Sequence, residues 1–130
     1  MKQRISSQTS IELSVQKKTR PLLINVELFE WVIENIIKNA IDAIDQRGKV
    51  IVQLKDEKDC VLIDFIDNGK GLKRSFFKEI FQPGFTSKKR GWGLGLSLVK
   101  RIVEDYHKGE VKVIKSIPYK ETIIRIYLNK

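Results

Sequence analysis

The sequence predicts an α+β fold, a two-layer α/β sandwich in which a mixed, mainly antiparallel sheet packs on helices. Short stretches of alternating apolar and polar residues, as in half-buried strands, are interspersed with two stretches whose apolar residues recur at helical spacing. The 130 residues, 42% of them hydrophobic, suffice for the core of one domain. The pattern contains no internal repeat and no interdomain linker, so the prediction is a single domain over residues 1–130.

The predicted order of elements is β-α-β-β-loop-α-β-β. Residues 11–15 alternate as a strand does, and apolar residues recur at helical spacing from Val26 to Asp45. Gly48 is predicted to follow this helix as a left-handed cap residue. Alternation over residues 50–54 and the β-branched run Cys60–Ile66 predict two strands that pair with each other.

The second half of the chain begins with a long loop, residues 72–94, which contains a short helix near Ser75–Ile80. Loops of this length usually carry function. A second helix is predicted from Gly95 to Tyr106, ended by Gly109, and its inward side chains should be Leu98, Ile102 and Val103. The last two strands should lie near residues 111–113 and 124–128.

Composition limits the cellular context. No apolar run approaches the ~20 residues of a membrane helix, and no apolar segment typical of a signal peptide follows Met1. The single cysteine, Cys60, excludes an internal disulfide; we expect it in the core of a cytoplasmic domain that makes no membrane contact. The net charge of +9, with a cluster at Lys88-Lys89-Arg90, favours an anionic partner such as nucleic acid, an acidic protein or a polyphosphate.

Two asparagines on the first helix form the first candidate site. Asn35 and Asn39 are four residues apart and share one face, and Asp42 lies near that face one turn later. A buried amide is costly unless it is bonded, and amide oxygens are hard ligands suited to Mg²⁺ that also binds phosphate. The alternative is that both asparagines lie on the solvent side of the helix.

The segment Asp67-Asn68-Gly69-Lys70-Gly71 ends a strand and is the second candidate site. The two glycines permit positive φ and close backbone approach, and Asp67 offers an acceptor for an exocyclic amine such as that of adenine. The alternative is an ordinary turn, because Asp, Asn and Gly favour turns for local reasons.

The third candidate site is the glycine-rich segment that leads into the second helix: Gly91-Trp92-Gly93-Leu94-Gly95-Leu96. Exposed backbone N–H groups beside a helix start favour a phosphate. The segment is not a dinucleotide fingerprint, because Leu96 occupies a glycine position, and it is not a Walker loop. Before it, Thr86 and Ser87 offer hydroxyl donors and Lys88 a cation for phosphate.

Together these segments resemble the N, G1, F and G2 boxes of the gyrase, heat-shock chaperone, histidine kinase and MutL (GHKL) superfamily. The closest similarity is to the catalytic ATP-binding (HATPase_c) domain of bacterial sensor histidine kinases. The resemblance implies a Bergerat ATP-binding fold over residues 1–130, as a fragment that lacks the histidine-bearing dimerisation domain.

The same resemblance implies the site residues. ATP and Mg²⁺ are the expected cofactors, with Asn39 and Asn35 as metal ligands and Asp67 as the adenine reader. The catalytic residues would be Asn35 and Lys88. Asp42 stands where many kinases carry a lysine, so Lys88 is favoured over Lys38 as the source of the cation. The implied nucleotide-binding set is Asn35, Asn39, Asp42, Asp67, Gly69, Gly71, Leu72, Thr86, Ser87, Lys88, Gly91, Trp92, Gly93, Leu94, Gly95 and Leu96.

The implied reaction is transfer of the γ-phosphoryl group to a histidine on a separate dimerisation domain, followed by signalling to a response regulator. Hydrolysing relatives carry Glu where this chain has Asn35, and an amide is a poor general base. The alternative is a GHKL-type ATPase clamp acting on DNA or protein partners, but no nucleic-acid partner is expected. The parent protein would be cytoplasmic, with or without a membrane anchor.

His107 and Thr122 bear on how closely the chain follows the family pattern. The only histidine, His107, is expected to act as a cation or cap at the end of the second helix rather than as a phosphoacceptor. The chain alone should therefore bind ATP without phosphorylating itself. Thr122 is what remains of the family's late glycine-threonine box, because Glu121 replaces the glycine.

Overall fold

A six-stranded sheet forms one layer of the computed structural model, which describes residues 2–4, 9–15, 24–44, 48–84 and 95–129. The strand order is β1-β2-β3-β4-β6-β5, and only the β2–β3 pair is parallel. The predicted mixed, mainly antiparallel α+β sandwich is thereby confirmed. The strands are β1 Lys2–Arg4, β2 Thr9–Val15, β3 Gly48–Asp56, β4 Cys60–Asp67, β5 Glu110–Ile117 and β6 Glu121–Asn129.

The first helix, α1, extends from Val26 to Asp42 and ends earlier than predicted. The side chain of Asn25 caps its start by accepting the backbone N–H of Leu28 at 3.0 Å. Its apolar repeat is buried as predicted, through Phe29, Val32, Ile36 and Ala40.

The predicted left-handed cap at Gly48 is wrong. Gly48 is the first residue of β3, and among the described glycines only Gly71 and Gly84 have positive φ. Gly48 is instead a point of close approach, since an added Cβ would lie 2.4 Å from the side chain of Ile44.

The second helix, α2, extends from Gly95 to Arg101 and continues as a π-helical turn, Ile102–Tyr106. Val99 and Val103 are its fully buried side chains, whereas Leu98 is 36% exposed. The inward placement of Leu98 was therefore wrong, because successive helical residues differ by ~100° and the buried stripe passes through Val99. Before α2, two 3₁₀ turns replace the predicted short helix: Arg74–Phe76 and Glu79–Phe81.

His107 joins the end of the π-helical turn to the start of α1. The backbone N–H of Asn25 donates to Nε2 of His107 at 3.0 Å, so this nitrogen carries no proton. Nδ1 therefore holds the ring proton and donates it to the carbonyl oxygen of Ile102 at 2.9 Å. The predicted capping role is confirmed, because the backbone N–H of His107 also donates to the carbonyl oxygen of Ile102, at 3.1 Å.

The core lies between the sheet and the helices. Its buried side chains come from both layers: Phe29, Val32, Ile36, Val52, Val61, Ile63, Phe65, Ile80, Phe81, Val99, Val103, Val111, Val113, Ile124, Ile126 and Leu128. Cys60 is only half-buried at the start of β4, so its predicted place in the core was wrong. No helix within the described residues is long and apolar enough to cross a membrane.

A bidentate ion pair locks β4 and β6 together on the face of the sheet opposite the core. The guanidinium of Arg125 donates to both carboxylate oxygens of Asp64, at 2.6 and 3.0 Å, and Nζ of Lys55 lies 3.6 Å from the same carboxylate. The bond to Asp64 raises the pKa of Arg125 above its usual value. Because Asp64 pairs with Arg125 in the β4–β6 register, Asp67 pairs with Thr122 three residues further along.

Candidate functional site

Four side chains form one row across the end of the sheet. Val50, Asp67, Thr122 and Ser116 are consecutive partners in β3, β4, β6 and β5, and antiparallel partners place their side chains on the same face. The neighbouring row two residues along, which includes Phe65, belongs to the core under the helices. The row therefore faces the helical layer.

Asp67 brings a carboxylate into this covered layer. It is the last residue of β4 and only 6% exposed, and its Oδ1 accepts the backbone N–H of Gly69 at 2.9 Å. Burial raises the pKa of Asp67 above its ordinary value, and the bond from Gly69 opposes that rise. The carboxylate is thus a buried, directional acceptor, as the sequence predicts for an adenine reader.

The glycine loop after Asp67 is held from two sides. The N–H of Lys70 donates to the carbonyl oxygen of Ala43 at the end of α1, at 2.9 Å. On the other side, the N–H of Tyr119 donates to the carbonyl oxygen of Gly69 at 2.7 Å. The loop therefore joins α1 to the tip of the β5–β6 hairpin.

Gly71 and Leu72 complete this loop beside the hairpin. Gly71 has a φ of 81°, as predicted for a glycine needed in this turn. The N–H of Leu72 donates to Oγ of Ser116 at 2.8 Å, and its side chain packs against the core.

The asparagine face of α1 lies against the start of α2. Nδ2 of Asn35 donates to the carbonyl oxygen of Trp31 at 2.8 Å, and Oδ1 of Asn35 lies 3.3 Å from where a Cβ on Gly95 would be. Asn35 and Asn39 are both half-buried, whereas their neighbour Lys38 is exposed. Neither asparagine is fully exposed, and Asn35 lies at the contact between α1 and α2. Asp42, the last helical residue, is exposed.

Among the residues that the structure describes, Asn35 thus lies beside Gly95 at the start of α2, and the loop after Asp67 is bonded to Ala43 at the end of α1. Leu96 is half-buried against the core. The remaining predicted site residues lie outside the described residues: Thr86, Ser87, Lys88, Gly91, Trp92, Gly93 and Leu94.

The amide oxygens of Asn35 and Asn39 are of a kind that can bind Mg²⁺. Within the described residues there is no group of three or more His, Cys, Asp or Glu side chains that could hold a metal ion. Mg²⁺ that keeps several waters and takes phosphate oxygens needs only one or two protein ligands. Amide oxygens from Asn39 and Asn35 fit that requirement.

Sequence reasoning missed Ser116. Its Oγ accepts the Leu72 N–H and lies 2.7 Å from Oγ1 of Thr122, which is 4% exposed. The spacing along the chain contains no signal for this contact, because it depends on the register of β5 against β6. Of this hydroxyl pair, the sequence motifs point only to Thr122, the remnant of the late glycine-threonine box.

Gly69→Ala is expected to destabilise the fold by about 2–3 kcal/mol. The added Cβ would lie 2.5 Å from the backbone oxygen of Ala43, which cannot move aside without displacing the end of α1. Urea unfolding measures the change. Gly84→Ala is the matched control, because its Cβ would meet nothing within 4 Å and its cost comes only from the φ of 87°. Equal losses in the two variants would contradict the steric explanation.

The fold and these residues define a nucleotide-binding two-layer sandwich. The chain belongs to the histidine kinase-, DNA gyrase B- and HSP90-like ATPase family, whose profile matches residues 24–130. ATP is therefore the implied nucleotide.

Among the curated relatives that the chain matches are several sensor kinases. The signal transduction histidine-protein kinase AtoS of Escherichia coli K12 is 38% identical over 82% of this chain and 17% of its own length. The sensor histidine kinase ZraS of Salmonella typhi is 42% identical over 75% of this chain and 21% of its own. Sporulation kinase E of Bacillus subtilis is 32% identical over 94% of this chain and 16% of its own length. The chain thus spans about a fifth of the length of these relatives.

Solved structures agree on the fold. The catalytic domain of the histidine kinase ThkA has a TM-score of 0.83 at 24% identity, covering 94% of this chain and 79% of that chain. The mycobacterial sensor histidine kinase MprB has a TM-score of 0.74 at 26% identity, and the match covers 92% of this chain and 81% of that chain. The predicted resemblance to a histidine kinase catalytic domain is confirmed.

Proposed function

We propose that this domain binds ATP with Mg²⁺ and donates the γ-phosphoryl group to a histidine on a separate helical dimerisation domain in a two-component system. The observation that carries the proposal is the buried carboxylate of Asp67, 6% exposed, at the end of the sheet where the glycine loop meets α1. A buried acceptor at this position suits the exocyclic amine of adenine.

Asn39 and Asn35 would hold the metal ion. When bound, Mg²⁺ neutralises charge on the phosphates and orients them for in-line transfer. The amide of Asn35 is anchored to the Trp31 carbonyl, and Gly95 leaves room for the Asn35 oxygen at the start of α2. In this proposal the asparagines position the phosphates on the α1 side while Asp67 positions the base on the sheet side.

The acceptor in this proposal is an imidazole rather than water. Asn35 cannot remove a proton from water as a carboxylate could, and a neutral imidazole is already a good nucleophile. Lys88 would supply a cation to the transferred phosphoryl group. The same reasoning counts against a hydrolytic clamp as the principal activity.

His107 does not serve as the acceptor in this proposal. Its Nε2 accepts the Asn25 N–H and its Nδ1 donates to Ile102, so both ring nitrogens are engaged. The phosphoacceptor histidine would therefore lie on another domain of the parent protein. The parent would act on the cytoplasmic side and pass the phosphoryl group to a response regulator; ThkA has been solved in complex with the response regulator TrrA.

The test mixes this domain with the separately prepared helical histidine domain of the same parent, Mg²⁺ and γ-labelled ATP. We expect acid-labile label on the helical domain only when both proteins are present, and none on this domain alone. A helical domain with its acceptor histidine changed to Gln is the control. Label on His107, or none on the helical domain although ATP binds, would contradict the proposal.

A further inference from the structure

We propose that the tip of the β5–β6 hairpin is a docking surface for an acidic protein, which presents carboxylates around an apolar side chain. The surface, called the basic tip below, consists of the turn Ile117–Lys120 together with Lys70 and Lys73 on the adjoining glycine loop. The inference goes beyond the proposed function, because neither ATP binding nor phosphoryl transfer needs these side chains.

Backbone contacts hold the hairpin turn and the glycine loop together as one surface. The N–H of Tyr119 donates to the carbonyl oxygen of Gly69 at 2.7 Å. A Cβ on Gly71 would lie 3.1 Å from Cα of Pro118, so the two backbones touch at this point. Lys70, between the two glycines, is therefore held beside the turn.

The backbone of the turn is strained at Tyr119. The N–H of Lys120 donates to the carbonyl oxygen of Ile117 at 3.0 Å, which closes a β-turn with Pro118 second and Tyr119 third. Tyr119 has a φ of 61°, in the region where glycine or asparagine is usual and a bulky residue costs free energy. Lys108, the other described non-glycine residue with positive φ, follows a helix end, where that conformation is common.

The side chain of Tyr119 gives a reason for keeping the strain. Tyr119 is 67% exposed and Ile117 is 42% exposed, so the turn presents an aromatic and an aliphatic side chain to solvent. Strained residues that a fold retains cluster at functional positions, and tyrosine is among the residues that most often dominate protein interfaces. The ring is therefore placed to anchor a partner.

The charge around the turn selects an acidic partner. Residues 69–74 and 115–121 together contain five basic residues and one acidic residue, Glu121. Glu121 pairs with Lys115 at 3.1 Å, so it neutralises one of the five. A carboxylate-rich surface complements the rest, and such complementarity speeds association and selects the partner.

The remaining lysines are available to that partner. Lys70, Lys73 and Lys120 are exposed, and none of the ion pairs between described residues involves them. An anionic membrane surface is the less favoured occupant, because membrane binding scales with buried apolar area and the turn exposes few apolar side chains.

The test is an NMR titration of the ¹⁵N-labelled domain with a 12-residue peptide of glutamates around a central leucine. We expect the largest shifts at the backbone N–H groups of Lys70, Tyr119 and Lys120, and weaker binding at higher salt. Tyr119→Gly should weaken binding about tenfold, the effect of losing an interface tyrosine. Tyr106→Ala is the matched control, because Tyr106 is 60% exposed elsewhere, and it should bind the peptide as wild type does.

Stability separates docking from a structural role of the ring. Tyr119→Gly keeps the N–H that Gly69 accepts and removes the strained φ, so urea unfolding should show unchanged or greater stability. Lower stability with unchanged peptide binding would overturn the inference, as would shifts centred away from the basic tip or no shifts at all. Sedimentation of wild type with phosphatidylserine vesicles, lost in Tyr119→Gly while the peptide does not bind, would overturn it in favour of a membrane surface. ATP affinity should be the same in wild type and Tyr119→Gly, so failure of ATP binding in both would contradict only the proposed function.

Discussion

Asp67→Asn is expected to weaken ATP binding by about one to two orders of magnitude, the effect of losing a hydrogen bond to a charged group. The asparagine oxygen can still accept the Gly69 N–H, which Oδ1 of Asp67 accepts at 2.9 Å. Its amide nitrogen then replaces the second carboxylate oxygen and presents a donor to the adenine amine, which is also a donor. Calorimetric titration with ATP measures the loss.

Asp67→Asn is expected to weaken ATP binding but not to lower the stability of the fold. It should also remove a dependence of the free energy of unfolding on pH that wild type shows. Burial raises the pKa of Asp67 above its ordinary value of 3.8, so between that value and the raised one the native state binds more protons than the unfolded state. The free energy of unfolding of wild type therefore falls as pH rises through this window, and the deficit persists above it. Asp67→Asn should lack this fall and match or exceed wild type in stability at neutral pH.

Asp59→Asn is the matched control, because Asp59 is an exposed carboxylate in the β3–β4 turn. It should change neither ATP affinity nor the fall in stability with pH. Urea unfolding at several pH values between 4 and 8 makes the comparison. Wild-type ATP affinity in Asp67→Asn would contradict the role of Asp67, and reduced stability at neutral pH would contradict its buried, ionised state.

Local patterns predicted most of the fold. The apolar repeat of α1 and the alternation of the strands depend on side chains that a core must bury, so they are visible in sequence. The errors have local causes too. Strand β1, Lys2–Arg4, is too short to display an alternation, and Leu98 and Val99 differ by one position on a short helix that continues as a π-helical turn.

Some residues of the candidate site could be predicted from the sequence and others could not. Asp67, the asparagines and the glycines are recognisable because their chemistry is unusual where they stand in the chain. In the sequence, nothing distinguishes Ser116 from other serines in strands. Its contacts follow from the pairing of β5 with β6 and from the position of the glycine loop, whose Leu72 N–H donates to it. The partner of an ordinary side chain is a property of register and topology, which no short motif contains.

Asn39→Ala is expected to reduce phosphoryl transfer to the separate histidine domain by about a hundredfold or more, because charge neutralisation by a metal ion contributes several kcal/mol to such a transition state. Alanine is the best helix former, so α1 should remain folded without the amide. The measurement is the rate of phosphohistidine formation at saturating Mg²⁺.

Metal dependence is the feature that separates metal binding by Asn39 from other roles. Without its amide oxygen, ATP affinity should fall in the presence of Mg²⁺ and remain near the wild-type value in EDTA. Asn39→Asp keeps a hard oxygen ligand and should preserve much of the Mg²⁺ response. Lys38→Ala, an exposed neighbour on the same helix, should behave as wild type. If Asn39→Ala weakens ATP binding equally with and without Mg²⁺, Asn39 contacts the nucleotide or supports the fold, and the metal ligand must be sought elsewhere on α1.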